Sequence, residues 1–279
     1  MNLKVYGCRG SIPMSRSLRT TYGGNTSSMV LESKGDHLIL DAGSGILLME
    51  YEHREIYEDY PMTVPFSPNI LLSHVHLDHI VGLAAFTPVF VEKTGTKIYT
   101  ASRDSRPLKE QIFGAFAPPY WPVTMADMAK VECFEIFDNK PFNIGVFTVT
   151  PFRATHPNAT QSFHITDGGK TIVYLLDNEH KLMNNYEYDR QISYCKNADL
   201  VIFDGAYAIS DYEAKRGFGH STVTDGIELA KNSGCKRMLM SHFAPNYKDS
   251  ELDDLIKYLI PHGYGSRFLL ASDGLTLVV

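Results

Sequence analysis

The chain alternates short apolar runs with clusters of Gly, Ser, Asn and Asp, the punctuation expected of many short strands joined by turns. Leu3 to Gly7, Ser28 to Glu32 and His37 to Asp41 predict strands, separated by turn signals at Gly10-Ser11, Gly23-Gly24-Asn25 and Lys34-Gly35-Asp36. Gly45 to Glu52 predicts a helix, and Ile70 to Leu72 and Lys97 to Thr100 predict strands. A helix over Asp104 to Phe113 leads into the loop Ala117-Pro118-Pro119-Tyr120-Trp121-Pro122. The second half repeats the alternation. Strands are predicted over Lys130 to Phe137, Gly145 to Phe152, Gln161 to Thr166, Lys170 to Leu176 and Leu200 to Phe203. Arg237 to Ser241, Phe268 to Ala271 and Leu275 to Val279 close the series. Helices are predicted over Asn184 to Lys196, Thr222 to Asn232 and Ser250 to Ile260. Ser221 or Thr222 can cap the second of these and Gly234 can end it. Glu251, Asp253 and Asp254 give the third an acidic first turn.

Strands in each half with helices between them suggest an α/β (α+β) protein, two sheets packed face to face with helices outside. No repeat, low-complexity run or linker divides the chain, so residues 1–279 read as a single domain. With 44% hydrophobic and 21% charged residues, a sizeable core is expected. The net charge of -6 gives no general basic footprint for nucleic acid. No apolar run approaches the length of a membrane span, and Met1-Asn2-Leu3-Lys4-Val5-Tyr6 reads as a strand rather than a signal peptide, so the default location is the cytoplasm. Cys8, Cys133, Cys195 and Cys235 are widely separated and fit reduced thiols better than a disulfide framework or a thiolate metal site.

The chemistry concentrates in Ser73-His74-Val75-His76-Leu77-Asp78-His79, directly after the apolar stretch Asn69-Ile70-Leu71-Leu72. Imidazole nitrogen and carboxylate oxygen are the ligands that zinc and similar divalent ions prefer. Leaving a strand, His74 and His76 emerge on one side of the chain. Asp78 and His79 then fall in the following turn or at a helix start, where they can face a second ion. Two metals need further ligands. His156 follows the strand from Gly145, Asp177 ends the strand from Lys170, and His242 ends the strand from Arg237. Each alone is more commonly a capping or surface residue; together with the histidine cluster they supply what is missing.

The pattern His-x-His-x-Asp-His followed by His, Asp and His resembles the metallo-β-lactamase-fold hydrolase superfamily. The resemblance implies an αββα sandwich of two mixed β-sheets flanked by helices, with two divalent ions at one sheet edge. By position it assigns His74, His76 and His156 to one ion and Asp78, His79 and His242 to the other, with Asp177 bridging. Asp41-Ala42-Gly43 also looks like the superfamily's second-strand turn, which would let Asp41 orient a ligand from behind. All ligands being N or O suits Zn2+ best, with Mn2+ or Fe as alternatives.

Phe203-Asp204-Gly205-Ala206-Tyr207 and Gly217-Phe218-Gly219-His220-Ser221-Thr222 resemble the phosphodiesterase branch, which includes ribonuclease Z. There an acidic residue pairs with a histidine that assists the leaving group; here these would be Asp204 and His220. The implied reaction is attack of a metal-held hydroxide on a phosphodiester, with Asp78 orienting the nucleophile and His220 protonating the departing oxygen. Asp204 stands where ribonuclease Z typically has glutamate, and no Gly/Pro-rich arm for gripping tRNA is visible. Small phosphodiesters, such as cyclic nucleotides or nucleotide-derived esters, are therefore favoured over RNA. Gly7-Cys8-Arg9-Gly10-Ser11-Ile12-Pro13 and Tyr22-Gly23-Gly24-Asn25-Thr26-Ser27-Ser28 resemble small bacterial hydrolases of the same branch. Arg9, Arg16 and Arg19 are of the type that pairs with phosphate, although loop arginines are more commonly solvated. Phe116, Tyr120 and Trp121 read as core or lid packing, with a stacking wall as the alternative. The rival readings are a lactone or thioester hydrolase, a di-iron redox protein and a non-catalytic metal-binding module. The oligomeric state is open, a homo-oligomer included.

Overall fold

A computed structural model describes residues 1–15, 21–56, 67–91, 95–122, 131–259 and 267–279. The strands β1 (Asn2–Gly7), β2 (Ser28–Ser33) and β3 (Asp36–Leu40) run antiparallel, and β4 (Asn69–Leu71), β5 (Lys97–Thr100) and β6 (Glu132–Glu135) extend them in parallel. A second sheet repeats this plan. Its strands β7 (Phe142–Ile144), β8 (Phe147–Arg153), β9 (Gln161–Thr166) and β10 (Thr171–Leu175) are antiparallel neighbours. The strands β11 (Leu200–Asp204), β12 (Met238–Ser241) and β13 (Phe268–Leu270) follow in parallel. The last strand, β14 (Thr276–Val278), returns to the outer side of β1, giving seven strands in each sheet.

Period-two alternation explains how one sheet serves two cores. Leu38, Leu40 and Leu71 enter the core shared with Phe147, Phe163 and Ile165 of the other sheet. Ile39, Ile70 and Ile98 project the opposite way, against Ile46, Met49 and Phe113. The second of these cores is covered by α1 (Gly45–Ile56), which packs on β1 and β2, and by α3 (Leu108–Phe113), which packs on β6. On the far side α6 (Val223–Ser233) covers β11 and β12, and α7 (Asp249–Leu259) covers β13. The result is an αββα sandwich of two mixed sheets. None of the described helices is long and apolar enough to cross a membrane.

The helix boundaries follow their chemistry. Thr222 caps α6 in a reciprocal box with Asp225, and Gly234 ends it in the left-handed region. Asn184 and Glu187 form the same box at α4 (Asn185–Cys195). Three expectations are corrected. The helix predicted from Asp104 begins at Leu108, because Pro107 precedes it and Asp104 instead grips the Arg106 guanidinium in a tight bend. The strand predicted from Gly145 begins at Phe147 as β8, because Gly145 lies in the turn of a hairpin whose other arm is β7. A helix between β11 and α6, α5 (Ile209–Lys215), was not predicted; only Tyr212 of its residues is buried, so it carries no apolar stripe. The predicted starting residue Lys130 and ending residue Ile260 lie outside the described residues.

What matters for function is where the parallel strands end. The carboxyl ends of β3, β4, β10, β11 and β12 deliver Asp41, His74, Asp177, Asp204 and His242, in line with the tendency of open sheets to bind at that edge. The chain also passes through the left-handed region at Asp41 (φ 57), Asp177 (φ 53) and His242 (φ 63). Such a conformation at a non-glycine residue costs about 1–3 kcal/mol and persists where surrounding contacts over-determine it.

Candidate metal centre

The connection 72–76 between β4 and the short helix α2 (Leu77–Ile80) carries His74 and His76, and Asp78 and His79 follow in the helix. His156 arrives from the connection between β8 and β9. The nitrogens His74 Nε2 and His76 Nδ1 lie 2.8 Å apart, and His156 Nε2 lies 3.2 Å from His76 Nδ1. Asp177 Oδ1 completes this first group at 3.7 Å from His74 Nε2 and 3.6 Å from His156 Nε2.

The second group forms around the other oxygen of the same carboxylate. Asp177 Oδ2 is 3.0 Å from His79 Nε2 and 3.3 Å from His242 Nε2. Asp78 Oδ2 is 3.4 Å from His79 Nε2 and 3.1 Å from His242 Nε2. Ligand atoms held about 2.0–2.2 Å from one ion in a tetrahedral shell lie on the order of 3.4 Å apart. Both groups have that spacing. Asp177 Oδ2 is buried without a hydrogen-bond donor, an orphan that a cation would satisfy. The donor set and its spacing therefore fit two divalent ions sharing one carboxylate.

Contacts from behind set the imidazole tautomers. His74 Nδ1 bonds Ser73 Oγ at 3.1 Å, and that hydroxyl donates to Asp41 Oδ2 at 2.9 Å. His79 Nδ1 donates to the same Asp41 oxygen at 2.8 Å, and Tyr174 donates to it at 2.7 Å. His156 Nδ1 donates to the Gly219 carbonyl at 2.8 Å. In each case the proton sits on the outer nitrogen, leaving the inner lone pair for a cation. Burial pushes His74, His76 and His156 towards the neutral, ligating form. At His79 burial works the same way, but the Asp177, Asp78 and Asp41 carboxylates outweigh it and raise its pKa well above the ordinary value. So many carboxylates around one imidazole mark a place that calls for positive charge. Gly10 is pressed against the His242 ring; a Cβ there would lie 2.5 Å from Nδ1, so no larger residue fits.

His220 stands beside both groups, its ring 5.0 Å from His242 and 5.1 Å from His156. Its Nδ1 donates to the buried Asp204 Oδ2 at 2.9 Å. Burial opposes charging this ring, but Asp204, in contact and hydrogen-bonded, raises its pKa to about 9.

Several supporting residues escaped the sequence reading. Ser73 adjoins the histidine cluster and Glu179 lies two residues past Asp177, so proximity to the motif was the available signal. Tyr174 and Asn158, whose amide sits 2.8 Å from His76 Nε2, carried none. Arg9 is a correction. Its guanidinium is wholly buried and donates to the carbonyls of Gly23 and Tyr247 and to Asp249, so it offers nothing to a phosphate. Arg16 and Arg19 lie outside the described residues. Phe116 is buried and Trp121 packs edge-on against it at 6.4 Å, whereas Tyr120 is 88% exposed.

Residues 38–243, well over half of the chain, match the model of the beta-lactamase superfamily domain. The chain belongs to this superfamily. Within it, the chain is 25% identical to the probable metallo-hydrolase YhfI of Bacillus subtilis, over 87% of this chain and 86% of that protein. It is 22% identical to a ribonuclease Z of Natronomonas pharaonis, over 99% and 98% of the two chains. The YhfI crystal structure superposes with a TM-score of 0.72 at 21% identity, covering 99% of this chain and 98% of the other. The protein is thus a metallo-β-lactamase-fold, metal-dependent hydrolase of the ribonuclease Z-like branch.

Metal removal gives a direct check. Free metal at a thousand times its Kd stabilises a folded site by about 4 kcal/mol, on the order of 10 °C in Tm for a chain of this size. Chelation should lower Tm by that amount and zinc should restore it. Acidification should act in the same direction, because the imidazoles must be deprotonated to bind. A melting temperature indifferent to chelator and zinc would speak against the site.

Proposed function

We propose that the protein hydrolyses phosphodiester bonds of small molecules, using two divalent ions, most suitably zinc. His74, His76 and His156 hold one ion, Asp78, His79 and His242 the other, and Asp177 bridges. When bound, such ions neutralise phosphoryl oxygens and acidify water at neutral pH. The chain's own groups do the rest. Asp78, fixed by the Ser11 amide at 2.7 Å, orients the attacking water. His220 carries a proton to the departing oxygen while Asp204 holds its Nδ1 and leaves Nε2 free to donate.

The observation that carries the reading is this His220–Asp204 pair beside the candidate metal groups. Acyl hydrolysis has less use for a proton donor opposite the attack, whereas an alkoxide leaving phosphorus needs one. Relatives named for chemistry at phosphate support it, among them ribonuclease Z and a diphosphatase of the PhnP family, whose fold matches with a TM-score of 0.68 at 15% identity, covering 99% of this chain and 96% of that one. The net charge of -6 favours a small diester over RNA, whose binding rests on phosphate neutralisation by Lys and Arg. The two sheets share one core, which supports residues 1–279 as one domain, and we place it in the cytoplasm.

The test is turnover by zinc- or manganese-loaded protein of a chromogenic phosphodiester beside a lactone and a thioester. Diester cleavage alone is expected. Acyl-ester turnover without diester cleavage would transfer the protein to the lactonase or thioesterase class.

A further inference from the structure

Glu179 is buried at 1% exposure, between the candidate bridging residue Asp177 and the turn that follows, and none of the steps above uses it. Its Oε1 accepts the Tyr212 hydroxyl at 2.7 Å and the Gly217 amide at 2.8 Å, and its Oε2 accepts the Gly219 amide at 2.8 Å. Gly217 and Gly219 both have positive φ, 89° and 92°, and their inward amides have no partner in a regular ladder. At Gly219 a Cβ would lie 2.1 Å from His156 Nδ1, so the loop backbone approaches that ring as closely as glycine permits.

One residue thus meets both halves of the site. The Gly219 amide is fixed by Glu179, its carbonyl accepts His156 Nδ1, and its successor is His220. The Glu179 amide also donates to the Thr155 carbonyl at 2.8 Å, next to His156 in the chain. We propose that Glu179 is a positioning residue, which locks the Gly217–Gly219 loop and so delivers the ligand His156 and the proton donor His220 to the centre together. The proposal rests on the metal-dependent phosphodiesterase reading above.

Glu179→Gln tests it at nearly constant volume. An amide has one oxygen, so in either orientation at least one loop amide faces an N–H instead of an acceptor. The losses then pass through Gly219 to both histidines. The first readout is zinc affinity, by competition with a chromophoric chelator. One of the two sites should weaken about 10-fold or more, the range seen when groups behind a ligand are removed, while the other stays as in the parent. The second readout is the ratio of rates on a good- and a poor-leaving-group diester, which should rise about 10-fold as His220 loses its placement.

Unchanged affinities and an unchanged ratio would overturn the positioning role while leaving the function intact. Equal weakening of both ions, with an unchanged ratio, would reduce Glu179 to a staple of the fold and overturn it too. Should Glu179→Gln fail to fold, Tyr212→Phe removes one donor to the same carboxylate. It should shift both readouts in the same directions by about threefold, and no shift would overturn the proposal. Parent protein that binds no zinc would sink the metal reading on which all of this stands; parent protein that binds two zinc ions but cleaves no diester would sink the phosphodiesterase reading, with the affinities still deciding the placement of His156.

Discussion

His76→Ala should hold one divalent ion where the parent holds two, and should turn over substrate at least ~10^3-fold more slowly. The size follows from what a second cation contributes to stabilising charge in a phosphoryl transition state, several kcal/mol, each 1.4 kcal/mol being about tenfold. The selectivity follows from the geometry. His76 Nδ1 belongs only to the group with His74 and His156, 2.8 and 3.2 Å away. Asp78, His79, His242 and the second oxygen of Asp177 remain for the other ion. His76 is half-buried, and the change removes its contact with the Asn158 amide but no core packing. Metal-free parent and metal-free variant should therefore melt within about 1 °C of each other, surface-like substitutions being close to neutral. Elemental analysis with a rate measurement checks the expectation. Two ions retained at parental activity would remove His76 from the site.

The reason so much of this arrangement could be read beforehand is local. A strand that ends in a polar residue is visible as an apolar run with an abrupt stop, and β4, β10 and β12 each stop that way before His74, Asp177 and His242. The parallel pairing that brings those stops to one edge, Leu175 opposite Phe203 and Phe203 opposite Met240, needed no residue-level foresight once the run lengths matched. Asp41 was legible for the same reason, as the polar residue directly after β3 and before a glycine-containing turn. What stayed hidden depends on contacts distant in sequence. Tyr174 looks like any strand tyrosine until its hydroxyl meets Asp41, 133 positions away. Arg9 sits in a glycine-rich opening that suggests a phosphate loop. Only its carbonyl partners at Gly23 and Tyr247 turn it into a buried clamp for the segment whose Ser11 amide reaches Asp78. The helix α5 and the short strand β7 were missed because neither has enough apolar periodicity to rise above its neighbours.

His220→Ala should keep both ions and lose rate selectively. With an alkoxide leaving group, a general acid typically contributes 10^2–10^4-fold, and a loss in roughly that range is expected. With a nitrophenolate, which leaves without a proton, the loss should stay within several-fold. The geometry separates this role from metal ligation. His220 Nδ1 is engaged by Asp204 at 2.9 Å and stands 3.9 Å from Asp177 Oδ1. Asp177, His220 and His242 do nevertheless gather their ligand atoms closely enough to hold an ion. Metal content decides between the two: an ion lost with the ring makes His220 a ligand, and ions retained with a steep leaving-group dependence make it the acid. The pH profile gives an independent sign. The acid must be protonated to act, and Asp204 raises its pKa to about 9, so its contribution is present below that value and fades as pH rises through it. Bound cations add positive charge nearby and draw this limb to lower pH. The alkaline limb should appear with the poor leaving group in the parent, and vanish in His220→Ala. In Asp204→Asn it should move further towards neutral, since the amide no longer supplies the negative charge that holds the imidazolium.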